Sequence, residues 1–241
     1  MSDTRYWGPS GWQLFHLVAF KAKHPDDVLN QMKDVLPCKF CRASTTEFVQ
    51  KHPLRGDPGK WLYDIHNMVN NKLRTQCAED KTVVNPGPDP TFDEIKMRYD
   101  MMMPHNVPGR DFLFTIAANY PEVPEQEQMA VQRSFIHALA KAYPFEELRV
   151  IFADYLKSNE VKLSSRAEYM RWMYGLLKRM SKKTKSKIPT YKGYVQHVNH
   201  YRSGCSKGTY RGVTCRKMAG GGYAKQRDHQ RTRRVSHRYL L

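Results

Sequence analysis

Apolar residues recur at three- and four-residue spacings along most of this chain, and no alternating run of Val, Ile and Thr reads as a strand. Trp12, Phe15, His16, Ala19 and Phe20 share one face of a helix predicted over 10–22, which Pro25 ends. Val28, Leu29, Met32, Val35 and Leu36 mark a second helix, with Asp26 and Asp27 at its positive end. Pro37 then places Cys38 and Cys41 in the first turn of a third, running to about Gln50. Leu62, Ile65, His66, Val69 and Leu73 define a fourth. Amphipathic helices joined by short connections predict a four-helix bundle over 1–80.

Residues 81–110 contain Asn85-Pro86-Gly87-Pro88-Asp89-Pro90, then Pro104, Pro108 and Gly109. They read as a linker with one short helix from Phe92 to Met102, and Met101, Met102 and Met103 read as packing against the body. Residues 111–180 repeat the earlier plan. Phe135, Ile136, Leu139, Ala140 and Tyr143 line one helix face, and Pro144-Phe145-Glu146-Glu147-Leu148 stands where Pro37-Cys38-Lys39-Phe40-Cys41 stood. Trp172-Met173-Tyr174 parallels Trp61-Leu62-Tyr63. The second copy has Phe145 and Leu148 for the cysteines, and Leu177, Lys178 and Ser181 for the His66, Asn67 and Asn70 set. The expected architecture is therefore all-α: a bundle, a degenerate copy of it, and whatever lies beyond 180.

Charge separates that last part. Of the 241 residues, 40 are Lys or Arg and 23 are Asp or Glu, a net +17. Residues 181–241 hold 16 of those cations and one acid, Asp228. This segment reads as a basic flexible tail without apolar periodicity. Tyr191, Tyr194, Tyr201, Tyr210 and Tyr223 are interleaved with its cations. That mixture suits non-specific, salt-dependent binding of nucleic acid or another polyanion. An arm that packs on acidic proteins during assembly has the same composition. No run of about 20 apolar residues is present, so no membrane span is expected. Met1-Ser2-Asp3-Thr4-Arg5 lacks the basic start and apolar run of a secretion signal.

Five cysteines are too few for a disulfide-stapled scaffold. Cys38 and Cys41 form a C-x-x-C at a helix start, where exposed N–H groups and the helix dipole favour thiolate. Lys39 and Arg42 add positive charge. A zinc half-site is the competing reading, but its other half would have to come from Cys77, His52 or the tail at no zinc-like spacing. No metal is assigned. A thioredoxin-like site would need a preceding strand.

The pair lies between Trp7-Gly8-Pro9-Ser10-Gly11-Trp12 with His16, and His66-Asn67-Met68-Val69-Asn70-Asn71-Lys72-Leu73. That combination resembles the flavin-linked sulfhydryl oxidases of the Erv/ALR family, and the Trp-Gly-Pro form is most similar to the versions of large DNA viruses. The resemblance implies a four-helix FAD-binding bundle. It implies a thiol oxidase that forms disulfides in protein substrates, with oxygen as electron acceptor and peroxide as product. It implies that Cys41 lies against the flavin and that Cys38 receives the incoming thiolate. The flavin contacts it carries over are Gly8, Trp12, His16, His66, Asn67, Val69, Asn70 and Lys72, with Lys72 pairing the phosphates.

The family's mobile arm with a second cysteine pair makes Cys205 and Cys215 candidate shuttle cysteines. Its homodimers imply either a dimer here or a pseudo-dimer within the chain. The viral likeness implies a role in folding or assembling virion proteins, in host cytoplasm or in the particle. The alternative is a structural virion or assembly protein whose basic tail does the binding.

Three departures from the family pattern stand out. Tyr63 replaces the first cysteine of a structural disulfide, leaving Cys77 without its usual mate. Pro9 stands where Arg is common. Lys72-Leu73-Arg74-Thr75 replaces Lys-Leu-Gly-Lys.

Overall fold

A computed structural model describes residues 2–80 and 83–201, and every regular element among them is a helix. In chain order these are α1 (Thr4–Lys21), α2 (Asp26–Val35), α3 (Lys39–Lys51), α4 (Pro58–Glu79), α5 (Phe92–Asp100), α6 (Arg110–Ala118), α7 (Gln126–Ala142), α8 (Glu146–Ser158), α9 (Arg166–Thr184) and α10 (Tyr191–His200).

The first helix begins six residues before its predicted start, at Thr4 instead of 10. Asp3 caps it, its carboxylate accepting from the Arg5 N–H at 2.8 Å. The helix runs through Pro9, which an apolar pattern alone would not suggest. Gly8 eases this, because the clash that pushes a pre-proline residue out of the helical region involves its Cβ. Asp57 likewise caps α4, accepting from Gly59 N–H, and Pro58 takes the first helical position, where no N–H is needed.

Three local features of α1–α4 recur in α6–α9. Cys38 and Phe145 occupy the N-cap positions of α3 and α8 with nearly equal backbone angles, φ −108° ψ 122° and φ −112° ψ 127°. Arg42 donates to the Leu36 carbonyl at 2.6 Å, and Arg149 to the Tyr143 carbonyl at 3.1 Å. The Trp61 indole donates to the His52 carbonyl at 2.8 Å, and the Trp172 indole to the Asn159 carbonyl at 3.0 Å. Each pair fixes how the third helix of its set enters and leaves.

The two sets share one continuous hydrophobic core. Helix α1 packs on α6 and α2 on α7. Phe112 sits between them at the centre, 5.3 Å from the Phe15 ring and against Gly11, where a Cβ would come 3.1 Å from its ring. Ser10 Oγ accepts from Asp111 and Phe112 N–H, satisfying orphan donors at the start of α6. Gly109, at φ +73°, begins α6 so close to Leu14 that a Cβ there would lie 2.6 Å from Leu14 Cδ2.

Two expectations need correction. The basic segment from 181 is not uniformly tail-like: α9 continues to Thr184, and α10 packs on the body. Tyr191, Tyr194, Val195 and Val198 form an i, i+3, i+4, i+7 stripe hidden by the surrounding charge. Tyr194 is fully buried and stacks on Phe114 at 4.5 Å. Tyr201 stacks on Tyr6, and its carbonyl accepts from Asp3 N–H at 2.7 Å. Residues 202–241, with Cys205 and Cys215, lie outside the described residues.

The methionine run is the second correction. Met101 and Met103 are 75% and 65% exposed, and only Met102 packs inward, because α5 ends there and turns its apolar face, Ile95 and Tyr99, toward Leu17. Among the described residues no helix is long and apolar enough to cross a membrane.

Candidate active site

The Cys38 side chain caps α3: its sulfur accepts from the Cys41 N–H at 3.4 Å. This puts one sulfur on the positive end of a helix and brings the second round on the first turn. Cys38 is 1% exposed, whereas Cys41 is partly exposed. The order of exposure is thus the reverse of what an outer and an inner sulfur suggest. Of the two expected cations, Arg42 is committed to the Leu36 carbonyl and Lys39 lies over the Phe40 ring.

Helices α1 and α4 bring an aromatic and imidazole cluster together. Trp12 stacks on His66, ring centroids 3.8 Å apart and planes within 10°. His16 Nε2 lies 3.0 Å from His66 Nδ1. Tyr99 of α5 stacks on the other side of His16 at 4.9 Å. Burial holds the His66 imidazole down to about 4, with Asp89 opposing that shift. Burial, then His66 and Arg98, hold His16 well below its ordinary value. Both rings are therefore neutral at pH 7. Their outer nitrogens, His16 Nδ1 and His66 Nε2, are buried without a hydrogen-bond partner. With one proton shared between the inner nitrogens, the pair presents one N–H donor and one bare acceptor at its two ends, whichever tautomer holds.

Asn67 and Asn70 join the two histidines around a cavity of about 20 Å3, closed on its far side by Pro90, Arg98 and Tyr99. The Asn70 amide donates to Asp89 at 2.7 Å. Lys72 reaches across to α3, where its ammonium donates to Ser44 Oγ. Gly8 lies one helical turn before Trp12, with open space where its Cβ would be. Val69 lies beside the set on α4, partly buried. Of the predicted residues, His16, His66, Asn67 and Asn70 line that cavity and Trp12 stacks on His66, while Gly8, Val69 and Lys72 are not among its lining residues. Cys77 is half-buried on α4. No group of three metal-ligating side chains occurs among the described residues.

Sequence reasoning missed Asp89, Pro90, Arg98 and Tyr99, all within the segment read as a linker. The readable signal was Ile95 and Tyr99 four apart behind Thr91, whose side chain forms a capping box with Glu94. A groove of about 470 Å3 adjoins the cavity on the side of Pro90 and Arg98, with Met97 and Met101 along its α5 wall.

In kind, these residues suit a flavin dinucleotide. They offer stacked aromatic faces, unpaired imidazole nitrogens, two amides and a lysine. In volume, about 20 Å3 is room for a single water, so a dinucleotide would have to part the Trp12 and His66 rings or extend into the neighbouring groove.

The family model described as the Erv1 / Alr family matches residues 9–86 and 111–197. The mitochondrial FAD-linked sulfhydryl oxidase ERV1 of Saccharomyces cerevisiae is 31% identical over 85 residues, covering 30% of this chain and 45% of that protein. The FAD-linked sulfhydryl oxidase ERV1 of Arabidopsis thaliana is 34% identical over 62 residues, covering 26% and 32%. The probable FAD-linked sulfhydryl oxidase R368 of Acanthamoeba polyphaga mimivirus is 34% identical over 80 residues, covering 27% and 56%. The chain thus spans between about a third and just over half the length of these relatives. No solved structure matches it significantly.

Proposed function

The chain belongs to the Erv1/Alr family, and on that premise we propose that it is an FAD-linked thiol oxidase that forms disulfides in protein substrates. The observation that carries the reading is the convergence of Trp12, His16, His66 and Asn70 from two helices, in the same molecule whose α3 is capped by Cys38. Position by position, that set is absent from the second half, where Phe145 caps α8.

Substrate oxidation is a pair of exchanges. A substrate thiolate attacks Cys38 of a Cys38–Cys41 disulfide, and Cys41 leaves as thiolate at the helix N-terminus. A second substrate thiolate attacks the mixed disulfide and releases Cys38, so two electrons now reside on the pair and the substrate carries a new disulfide. Bound FAD would supply the two-electron acceptor that restores the Cys38–Cys41 bond, with oxygen as final oxidant and hydrogen peroxide as product. Trp12 would stack on the cofactor, His16, His66, Asn67 and Asn70 would hold its polar edges, and Lys72 would release Ser44 to meet its phosphates. Because Cys38 is buried, substrate entry requires the start of α3 to open.

The second half, 111–180, is proposed as a copy of the bundle that has lost this chemistry. Helices α1 and α2 face α6 and α7, their own counterparts, which is the pattern of a twofold interface folded into one chain. A role in virion assembly, binding of polyanions by the basic residues beyond α10, and shuttling by Cys205 and Cys215 are parts of the same proposal. They rest on composition and on the mimivirus relative. Oxygen uptake with a reduced dithiol, in the wild type and in Cys41→Ser, tests the oxidase reading. Uptake that persists in Cys41→Ser would contradict it.

A further inference from the structure

Two positions where the chain departs from the family pattern fasten the same short segment. Arg74, in place of the glycine of Lys-Leu-Gly-Lys, donates to the Gly87 carbonyl at 2.6 Å and pairs with both carboxylate oxygens of Asp89. Tyr63, in place of a cysteine, donates its hydroxyl to the Pro90 carbonyl at 2.9 Å. Residues 87–90 are thereby strapped along α4 at two points, and α5 follows directly. The strap separates two spaces: Pro90 closes the histidine cavity, while Pro88, Asp89 and Pro90 wall the larger groove.

Asp89 hydrogen-bonds a residue of the cofactor set. Its Oδ1 accepts from the Asn70 amide nitrogen at 2.7 Å while the carboxylate holds Arg74. A carboxylate only accepts, so it holds the Asn70 nitrogen on itself and turns the amide oxygen away. An isolated asparagine amide could present either end.

We propose that Asp89 is a positioning residue for the dinucleotide: it locks the Asn70 amide in one orientation and, through Arg74, holds the 87–90 strap along α4 beside the histidine cavity. The inference rests on the oxidase reading and adds a device that governs how long the cofactor stays. Asp89 contributes by withdrawing freedom from Asn70 and the strap before binding, so its removal acts on cofactor retention, with the thiol chemistry at Cys38 and Cys41 untouched.

The test is the rate at which the full-length protein releases FAD, followed as the rise of free-flavin fluorescence after dilution, in wild type, Asp89→Ala, Asp89→Asn and Arg74→Gln. Thermal unfolding of each flavin-free protein runs alongside. The expected result is release about tenfold faster in Asp89→Ala, with partial recovery in Asp89→Asn, which keeps an acceptor for Asn70. Arg74→Gln, a change at a partly exposed side chain, should fall between, and the flavin-free unfolding temperatures should stay together. Release from Asp89→Ala and Arg74→Gln that is unchanged or slower overturns the inference alone. So does faster release matched by an equal loss of stability without flavin. Wild-type protein that takes up no FAD overturns the oxidase reading and this inference with it.

Discussion

His16 Nε2 and His66 Nδ1 lie 3.0 Å apart across the α1–α4 interface, and the outer nitrogen of each ring is buried without a partner. Two neutral imidazoles in contact are costly to protonate among rings, which makes the pair a source of acid sensitivity.

The pH dependence follows from that cost. The folded His66 sits at about 4 against an ordinary 6.5, so between those values the unfolded chain binds the proton that the folded one refuses. Stability is fully present above about pH 6.5 and falls as pH drops toward 4, by up to about 3 kcal/mol for this group. Denaturant unfolding of the flavin-free protein at pH 7 and pH 4.5, in wild type and His66→Asn, measures it. The variant should lose much of the difference; an equal loss in both would remove His66 as the cause.

Cys38 and Cys41 should differ in reactivity. With the protein reduced and flavin-free, a bulky maleimide should label Cys41 before Cys38, since the latter is 1% exposed. Peptide mass spectrometry of timed samples reads the order. Prior labelling of Cys38 would mean that α3 opens freely at its start, and the exposure argument would fall.

Gly109→Ala should lower stability by about 2–4 kcal/mol, combining a left-handed backbone with overpacking against Leu14. The expected reading is a marked drop in unfolding temperature. A change of under about 0.5 kcal/mol would contradict the close approach of α1 and α6.

Tyr194 separates packing from hydrogen bonding in α10. Its hydroxyl is buried without a partner, and its ring stacks on Phe114. Tyr194→Phe should be neutral or slightly stabilising, because it removes an unsatisfied polar group. Tyr194→Ala should cost about 3–5 kcal/mol. Limited proteolysis should then cut within 185–201 in the alanine variant alone; equal resistance would mean that α10 is not held by this ring.

The helices carrying the candidate site were legible because their signals are local. Trp12 and His16, and His66 and Asn70, are each four apart, and a helix makes such residues neighbours. Helix α10 was not legible by charge: Lys182, Lys183, Lys185, Lys187 and Lys192 outweigh the stripe from Tyr191 to Val198, although the stripe determines its packing. Asp89 was not legible at all. It has no pattern of its own, and its meaning comes from a Pro- and Gly-rich strap that doubles back 15 residues to meet Arg74. The burial of Cys38 was likewise hidden, because an N-cap reads as a terminus in sequence and here packs into the shared core.

The most direct measurement is the visible absorption spectrum of the purified full-length protein, before and after dithiothreitol in an open cuvette. The oxidase account predicts a bound-flavin band that bleaches with the dithiol and returns as oxygen enters, with Cys41→Ser binding flavin but failing to bleach. A colourless protein that takes up no added FAD, or a flavin band reduced equally well in Cys41→Ser, would contradict it.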